Sequence, residues 1–164
     1  SLGQYLTEYG IDGLIIPDLP VEESASFRNQ LSTDSPLRVG ERARWDSPDL
    51  VLLVAPTSPA GRIKQIVVQS QGFVYVVSVA GVTGARKSIS SEIVPFLKIV
   101  RRAAKVPLML GFGISAPEHI RQWQSYVDGF IIGSAVINII RQERTNAGRM
   151  NKLHRFVNDL RAEL

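Results

Sequence analysis

The 164-residue sequence predicts a parallel α/β fold made of consecutive strand–helix units. Three observations carry that expectation. Five short apolar runs rich in β-branched residues recur along the chain. Each run is continuous rather than alternating, as in strands covered on both faces. Helical stretches separate the runs, and such alternation builds βα units around a parallel sheet.

The elements follow in order. "GLIIPD" (13–18) is the first strand, and the helix "PVEESASFRNQL" begins at Pro20 with Glu22 and Glu23 in its first turn, where acidic groups suit the helix dipole. "LVLLVAP" (50–56) is the second strand, followed by "SPAGRIKQIVVQS" with Ile63, Ile66 and Val67 on one face. "FVYVVS" (73–78) is the third. The helix after it, "SSEIVPFLKIVRRAA", groups Ile93, Phe96, Leu97 and Val100, and Pro95 restricts it to starting nearby. "PLMLGFG" (107–113) is the fourth strand. In "SAPEHIRQWQS", Ser115 is the expected N-cap, with Pro117 in the first turn and Glu118 completing a capping box. "GFIIGS" (129–134) is the fifth strand and runs into the apolar helix "GSAVINII". The tail, 145–164, reads as an amphipathic docking helix whose stripe is Met150, Leu153, Val157, Leu160 and Leu164.

One stretch breaks the pattern. Residues 32–49, "STDSPLRVGERARWDSPD", have no apolar period and exceed an ordinary helix-to-strand connection. They read as an atypical insertion or loop, or as a stretch of altered reading frame.

Composition bounds the function. The chain is 45% hydrophobic and 21% charged, a globular profile long enough to bury a core. It has no apolar run near the roughly 20 residues that span a bilayer, and no signal-peptide pattern at its start. Without cysteines, thiolate metal sites, disulfides and Cys nucleophiles are excluded. A formal charge of +4 without exposed stacking aromatics or a nucleic-acid module reads as solvated helix faces, so no nucleic-acid partner is expected.

Special residues gather in the loops that follow strands. Gly81 and Gly84 flank Thr83 in "SVAGVTGA", Gly111 and Gly113 flank Phe112, and Gly133 and Ser134 open a helix. Glycine lets main-chain N–H groups approach an anion, and a helix N-terminus adds a favourable dipole. Three such turns in consecutive loops point to a phosphorylated small molecule. Catalytic groups are harder to find. His119 and His154 fall in helical patterns on expected surfaces, and Asp18 ends a strand but could equally enter a helix. Glu22 and Glu23 read as first-turn residues, Ser78 has no His–Asp partners, and no metal-ligand cluster is present. The alternation itself leaves open a doubly wound sheet or a (β/α)8 barrel. A full barrel takes about 250 residues, so the chain has strands for only part of one.

"DGLIIPDLPVEES", "LLVAPTSP", "VYVVSVAGVTGAR", "LMLGFGIS" and "DGFIIGSAVINII", in this order, resemble the second part of the tryptophan synthase alpha chain family. The resemblance runs along the whole chain apart from 32–49. It implies a (β/α)8 TIM barrel of which these residues are one partial domain, 1–164, covering strands four to eight, with residues 1–10 ending the third helix. It implies retro-aldol cleavage of indole-3-glycerol phosphate to indole and glyceraldehyde 3-phosphate, as a lyase of tryptophan biosynthesis in bacterial cytoplasm or plastid stroma. The implied partner is a beta chain in an α2β2 complex. The alpha chain needs no cofactor, because pyridoxal phosphate belongs to the beta chain.

By the same resemblance, Gly84, Gly113, Gly133 and Ser134 match the phosphate-binding positions. Ile15, Val54, Tyr75, Gly111, Phe112 and Ile131 match the indole pocket. Gly81 and Thr83 match a loop that closes over the substrate, and Asp18 to Pro20 match a surface near the beta chain. The family's acid–base glutamate and indole-binding aspartate lie in an "ELGxPxSDPxADGP"-like element that does not occur in this sequence. No residue of the chain takes their role, and the isolated chain is expected to be inactive, with open sheet edges and low stability. Two alternatives stand beside this reading. One is a non-catalytic module that binds the beta chain or a phosphate metabolite. The other is a different phosphate-binding barrel enzyme, akin to phosphoribosylanthranilate isomerase or a pentose-phosphate epimerase, in which "PDLPVEES" with "GVTGA" would not be expected.

Overall fold

The structure, a computed structural model, describes residues 2–31, 48–78, 93–111 and 113–164. The expected loop residues Gly81, Thr83 and Gly84, the pocket residue Phe112 and positions 32–47 of the atypical segment lie outside the described residues.

Helix α1 (Leu2–Glu8) leads into β1 (Gly13–Ile15), α2 (Val21–Leu31), β2 (Asp49–Val54), α3 (Ala60–Gln69), β3 (Val74–Val77) and α4 (Ile93–Ala103). Then follow β4 (Leu108–Gly111), α5 (Pro117–Trp123), β5 (Gly129–Phe130), α6 (Ser134–Gln142) and α7 (Asn146–Arg161). The five strands form one parallel sheet in the order β1-β2-β3-β4-β5. Each strand therefore sits beside its predecessor, and the order never reverses. Right-handed crossovers that always step the same way put successive helices on one face, whereas a doubly wound sheet reverses and covers both.

The helix-facing side carries the core. Leu50, Leu52, Val54, Val74, Val76, Leu108 and Leu110 are buried there with Ile63, Ile66 and Val67 of α3, Phe96, Leu97 and Val100 of α4, and Ile120 and Trp123 of α5. The residues between them point to the opposite face. Of these, Leu53, Tyr75, Val77 and Met109 are half-buried and Ile15 is exposed. The continuous apolar runs thus match a sheet whose two faces are covered unequally.

Polar groups tie the frame where strands begin. The Asp128 carboxylate accepts from Arg101 of α4 (2.7 Å) and from the Leu108 backbone N–H at the start of β4 (2.7 Å). The Arg101 guanidinium, helped by that N–H, holds the carboxyl below the usual carboxylate range. Arg62 of α3 pairs with Glu22 of α2 at 2.9 Å, and Arg121 of α5 pairs with Glu163 beyond α7 at 2.5 Å. These exposed pairs orient helices more than they stabilise them.

Three local expectations are corrected. Helix α5 takes Ala116, not Ser115, as its N-cap, without a side-chain cap. Pro117 becomes its first residue, the position where a missing N–H and a fixed φ cost least. His119, expected on the surface, is buried. The tail stripe is split: Leu160 is buried, and Leu153 and Phe156 are half-buried, whereas Met150, Val157 and Leu164 are exposed. The body contacts one half of that apolar arc. Thr145 caps α7, its Oγ1 accepting from the Gly148 N–H at 3.1 Å.

Candidate functional site

The strands are parallel, so the loops after β1, β2, β4 and β5 open at one end of the sheet, where α/β enzymes keep their sites. Neighbouring strands lie about 4.8 Å apart. The pairing of Met109 with Gly129 and of Leu110 with Phe130 therefore sets the Gly113 and Gly133 turns side by side.

Gly113 has φ +80°, in the left-handed region where a Cβ is disfavoured, and its surroundings are open. Gly133 is the N-cap of α6, with no side-chain cap, and Ser134 is the first helical residue. Both are exposed. Gly133 brings no side chain to accept the first N–H groups of α6, which leaves them for solvent or a ligand.

Next to these turns, on the open face, lies an apolar floor. Tyr75 pairs with Leu53 on one side and Met109 on the other, and Val77 pairs with Gly111. The Tyr75 ring lies against Gly111: a Cβ there would overlap the phenolic oxygen and fall 2.5 Å from Cε1 and Cζ. Burial pushes the Tyr75 hydroxyl upward in pKa, so the phenol stays neutral. Ile131 follows β5, half-buried, with its N–H on the Leu110 carbonyl at 2.8 Å.

Of the expected pocket residues, Ile15, Tyr75, Gly111 and Ile131 share this face by register and alternation. Val54 does not. It pairs with Val76 and is buried among the helices, 1% exposed. Its neighbour Leu53 and, from β4, Met109 both pair with Tyr75 and lie on the open face. A one-residue change of parity moves a side chain to the other face, and "LVLLVAP" is apolar at both parities.

The Gly111 contact makes a test. Gly111→Ala is expected to drive the Tyr75 ring from its seat and cost about 1–3 kcal/mol of stability. Urea midpoints of Gly111→Ala, Tyr75→Ala and the double variant would check it. The double variant should lose clearly less than the sum, and strict additivity would refute the contact.

A cavity of about 310 Å³ lies elsewhere, between the β1–α2 loop and α3, lined by Asp18, Pro20, Val21, Leu52, Arg62 and Ile66 among others. Asp18 is exposed and lines this cavity together with Leu53. His154 is exposed on α7. Among the described residues, no group of three His, Asp or Glu side chains could hold a metal ion, and no helix is long and apolar enough to cross a membrane.

The sequence profile of the family described as "Tryptophan synthase alpha chain" matches residues 1–163. Among similar proteins, the tryptophan synthase alpha chain of Carboxydothermus hydrogenoformans is 45% identical, over 87% of this chain and 48% of its own length. That of Methanocaldococcus jannaschii is 38% identical, over 91% of this chain and 49% of its own. A chain in the structure of the tryptophan synthase α2β2 complex of Pyrococcus furiosus superposes with a TM-score of 0.79 at 28% identity, covering 98% of this chain and 60% of that one. The chain spans about half the length of the curated relatives it matches.

Proposed function

Since the chain belongs to the tryptophan synthase alpha chain family, we propose that it supplies the phosphate- and indole-binding side of a site for cleaving indole-3-glycerol phosphate. The observation that carries this is the pair of adjacent strand-end turns, Gly113 at φ +80° and Gly133–Ser134 at the head of α6, beside an apolar face with Tyr75 against Gly111. In this reading, main-chain N–H groups of the two turns hold the phosphate. Leu53, Tyr75, Met109 and Ile131 flank the indole ring and keep water from it. Gly84 and the Gly81–Thr83 loop, with Phe112, complete the enclosure by resemblance. The five strands correspond to barrel strands four to eight, and residues 1–164 form a single partial domain closed at its end by the 145–164 helix.

The reaction breaks a carbon–carbon bond between indole C3 and the glycerol phosphate chain. A proton must reach C3 and another must leave a side-chain hydroxyl. No residue of this sequence matches the family's acid–base glutamate or its indole-binding aspartate, so no residue of this chain is assigned those proton transfers. Products are indole and glyceraldehyde 3-phosphate. The beta chain is the proposed partner, with Asp18 to Pro20 on the surface facing it, and the pyridoxal phosphate is that partner's.

Titration with inorganic phosphate, followed by amide chemical shifts, tests the binding half. The shifts should concentrate on Gly113, Gly133, Ser134 and Ala135. Gly113→Ala, which forces a Cβ into the left-handed region at about 1–2 kcal/mol, should weaken phosphate about tenfold. Shifts scattered over the basic tail, or an unaffected variant, would overturn the assignment.

A further inference from the structure

One buried titratable group has no part in the site as described so far. His119 stands at the third position of α5, only 8% exposed, and its Nδ1 is 3.2 Å from the Ser115 backbone nitrogen. A backbone N–H can only donate, so Nδ1 is the acceptor and the imidazole proton sits on Nε2. The His119 N–H bonds the Ala116 carbonyl at 3.1 Å, which seats the side chain under the first turn. This is the reciprocal half of a capping box: a third-position side chain reaching back to an N–H ahead of the helix, with imidazole in place of the usual glutamate or glutamine. Glu118, which the sequence marks for that part, is exposed.

What the bond restrains is the segment that matters for an anion. Ser115 lies two residues after Gly113, and its hydroxyl turns back to the Gly113 carbonyl at 3.3 Å. Ile114 between them is buried, 2% exposed. The turn is therefore pinned by Ile114 in the core and by His119 through the Ser115 N–H. Without the imidazole acceptor that N–H loses its one partner among the described residues, and the Ser115 end of the turn loses a restraint that Ile114 alone does not supply.

We propose that His119 is a positioning residue of the phosphate seat: its Nδ1 holds the Ser115 N–H and so sets the direction of the Gly113 turn. The inference rests on the reading of that turn as a phosphate site, but the bond itself can be examined separately. Two variants divide acceptor from bulk. His119→Asn places an amide oxygen where Nδ1 was, while His119→Leu keeps an apolar side chain and removes the acceptor.

Hydrogen exchange at the Ser115 amide and inorganic phosphate titration are measured on the full chain and both variants, with ¹⁵N shifts of the His119 ring in the unaltered protein. Slow Ser115 exchange should persist in His119→Asn and quicken about tenfold in His119→Leu, and phosphate should weaken about fivefold in His119→Leu alone. Unchanged exchange in His119→Leu, equal damage in both variants, or a ring proton found on Nδ1 would overturn the proposal. The ring measurement decides the matter even where a variant fails to fold. If Ser115 exchange behaves as expected while phosphate fails to bind any form at Gly113, the bond stands, the functional reading of the turn falls, and with it the role of His119 in binding.

Discussion

Trp123→Ala is expected to lower the unfolding free energy by about 3–5 kcal/mol. Trp123 is among the largest fully buried side chains, 1% exposed. It closes the last turn of α5, with Tyr126 tilted against it at 6.0 Å between ring centroids. Removing the indole leaves a cavity beneath α5, where α7 also docks, and neither helix can collapse into it without losing its own contacts. Domains of this kind are stable by only about 5–15 kcal/mol, so the loss would take a large share. Among the described residues the buried indole Nε1 has no hydrogen-bond partner. Trp123→Phe keeps most of the ring and removes an unsatisfied donor, and those effects offset each other to within about 1.5 kcal/mol. Urea unfolding followed by circular dichroism checks both. A Phe variant as unstable as the Ala variant would show that aromatic bulk alone does not hold the site, and a mild Ala variant would show that the site collapses.

The second large effect concerns chemistry. The chain alone is expected to release no indole from indole-3-glycerol phosphate above the uncatalysed background. Positioned general acids and bases contribute about 10²–10⁴ in rate, and the retro-aldol step needs a proton delivered and a proton removed. Asp18, which follows β1, lines a cavity with Arg62 and Ile66 of α3. Binding without acid–base groups lowers the substrate's free energy as much as the transition state's, and so gives no acceleration. Indole formation at high protein concentration is the measurement. Turnover that Asp18→Asn abolished would assign catalysis to Asp18 and overturn the expectation.

Both expectations meet the question of what closes the sheet. β1 and β5 are its edge strands. Among the described residues, Leu2, Tyr5, Tyr9 and Ile11, which precede β1 in the chain, and Ile137 and Ile140 of α6, which follows β5 and buries no residue, are exposed. Strand edges flanked by uncovered apolar surface favour association with other chains.

The sequence by itself determined the sequence of elements. Continuous β-branched runs placed all five strands within a few residues of their ends, and the 3.6-residue spacing of Ile63, Ile66 and Val67, and of Phe96, Leu97 and Val100, marked helix faces that are buried. It also named both Gly111 and Gly113 at the end of the fourth run, and only the structure showed that Gly113 takes the positive φ while Gly111 ends the strand against the Tyr75 ring. Only the tertiary structure decided which face each strand residue takes. A strand apolar at every position carries no parity, so Leu53 and Val54 were indistinguishable until the register with Tyr75 and Val76 separated them. It alone decided that the strand order never reverses, that His119 is buried as the partner of Ser115, and that half of the α7 stripe meets the body. These are relations between segments distant in the chain or outcomes of packing, and local periodicity holds no record of them.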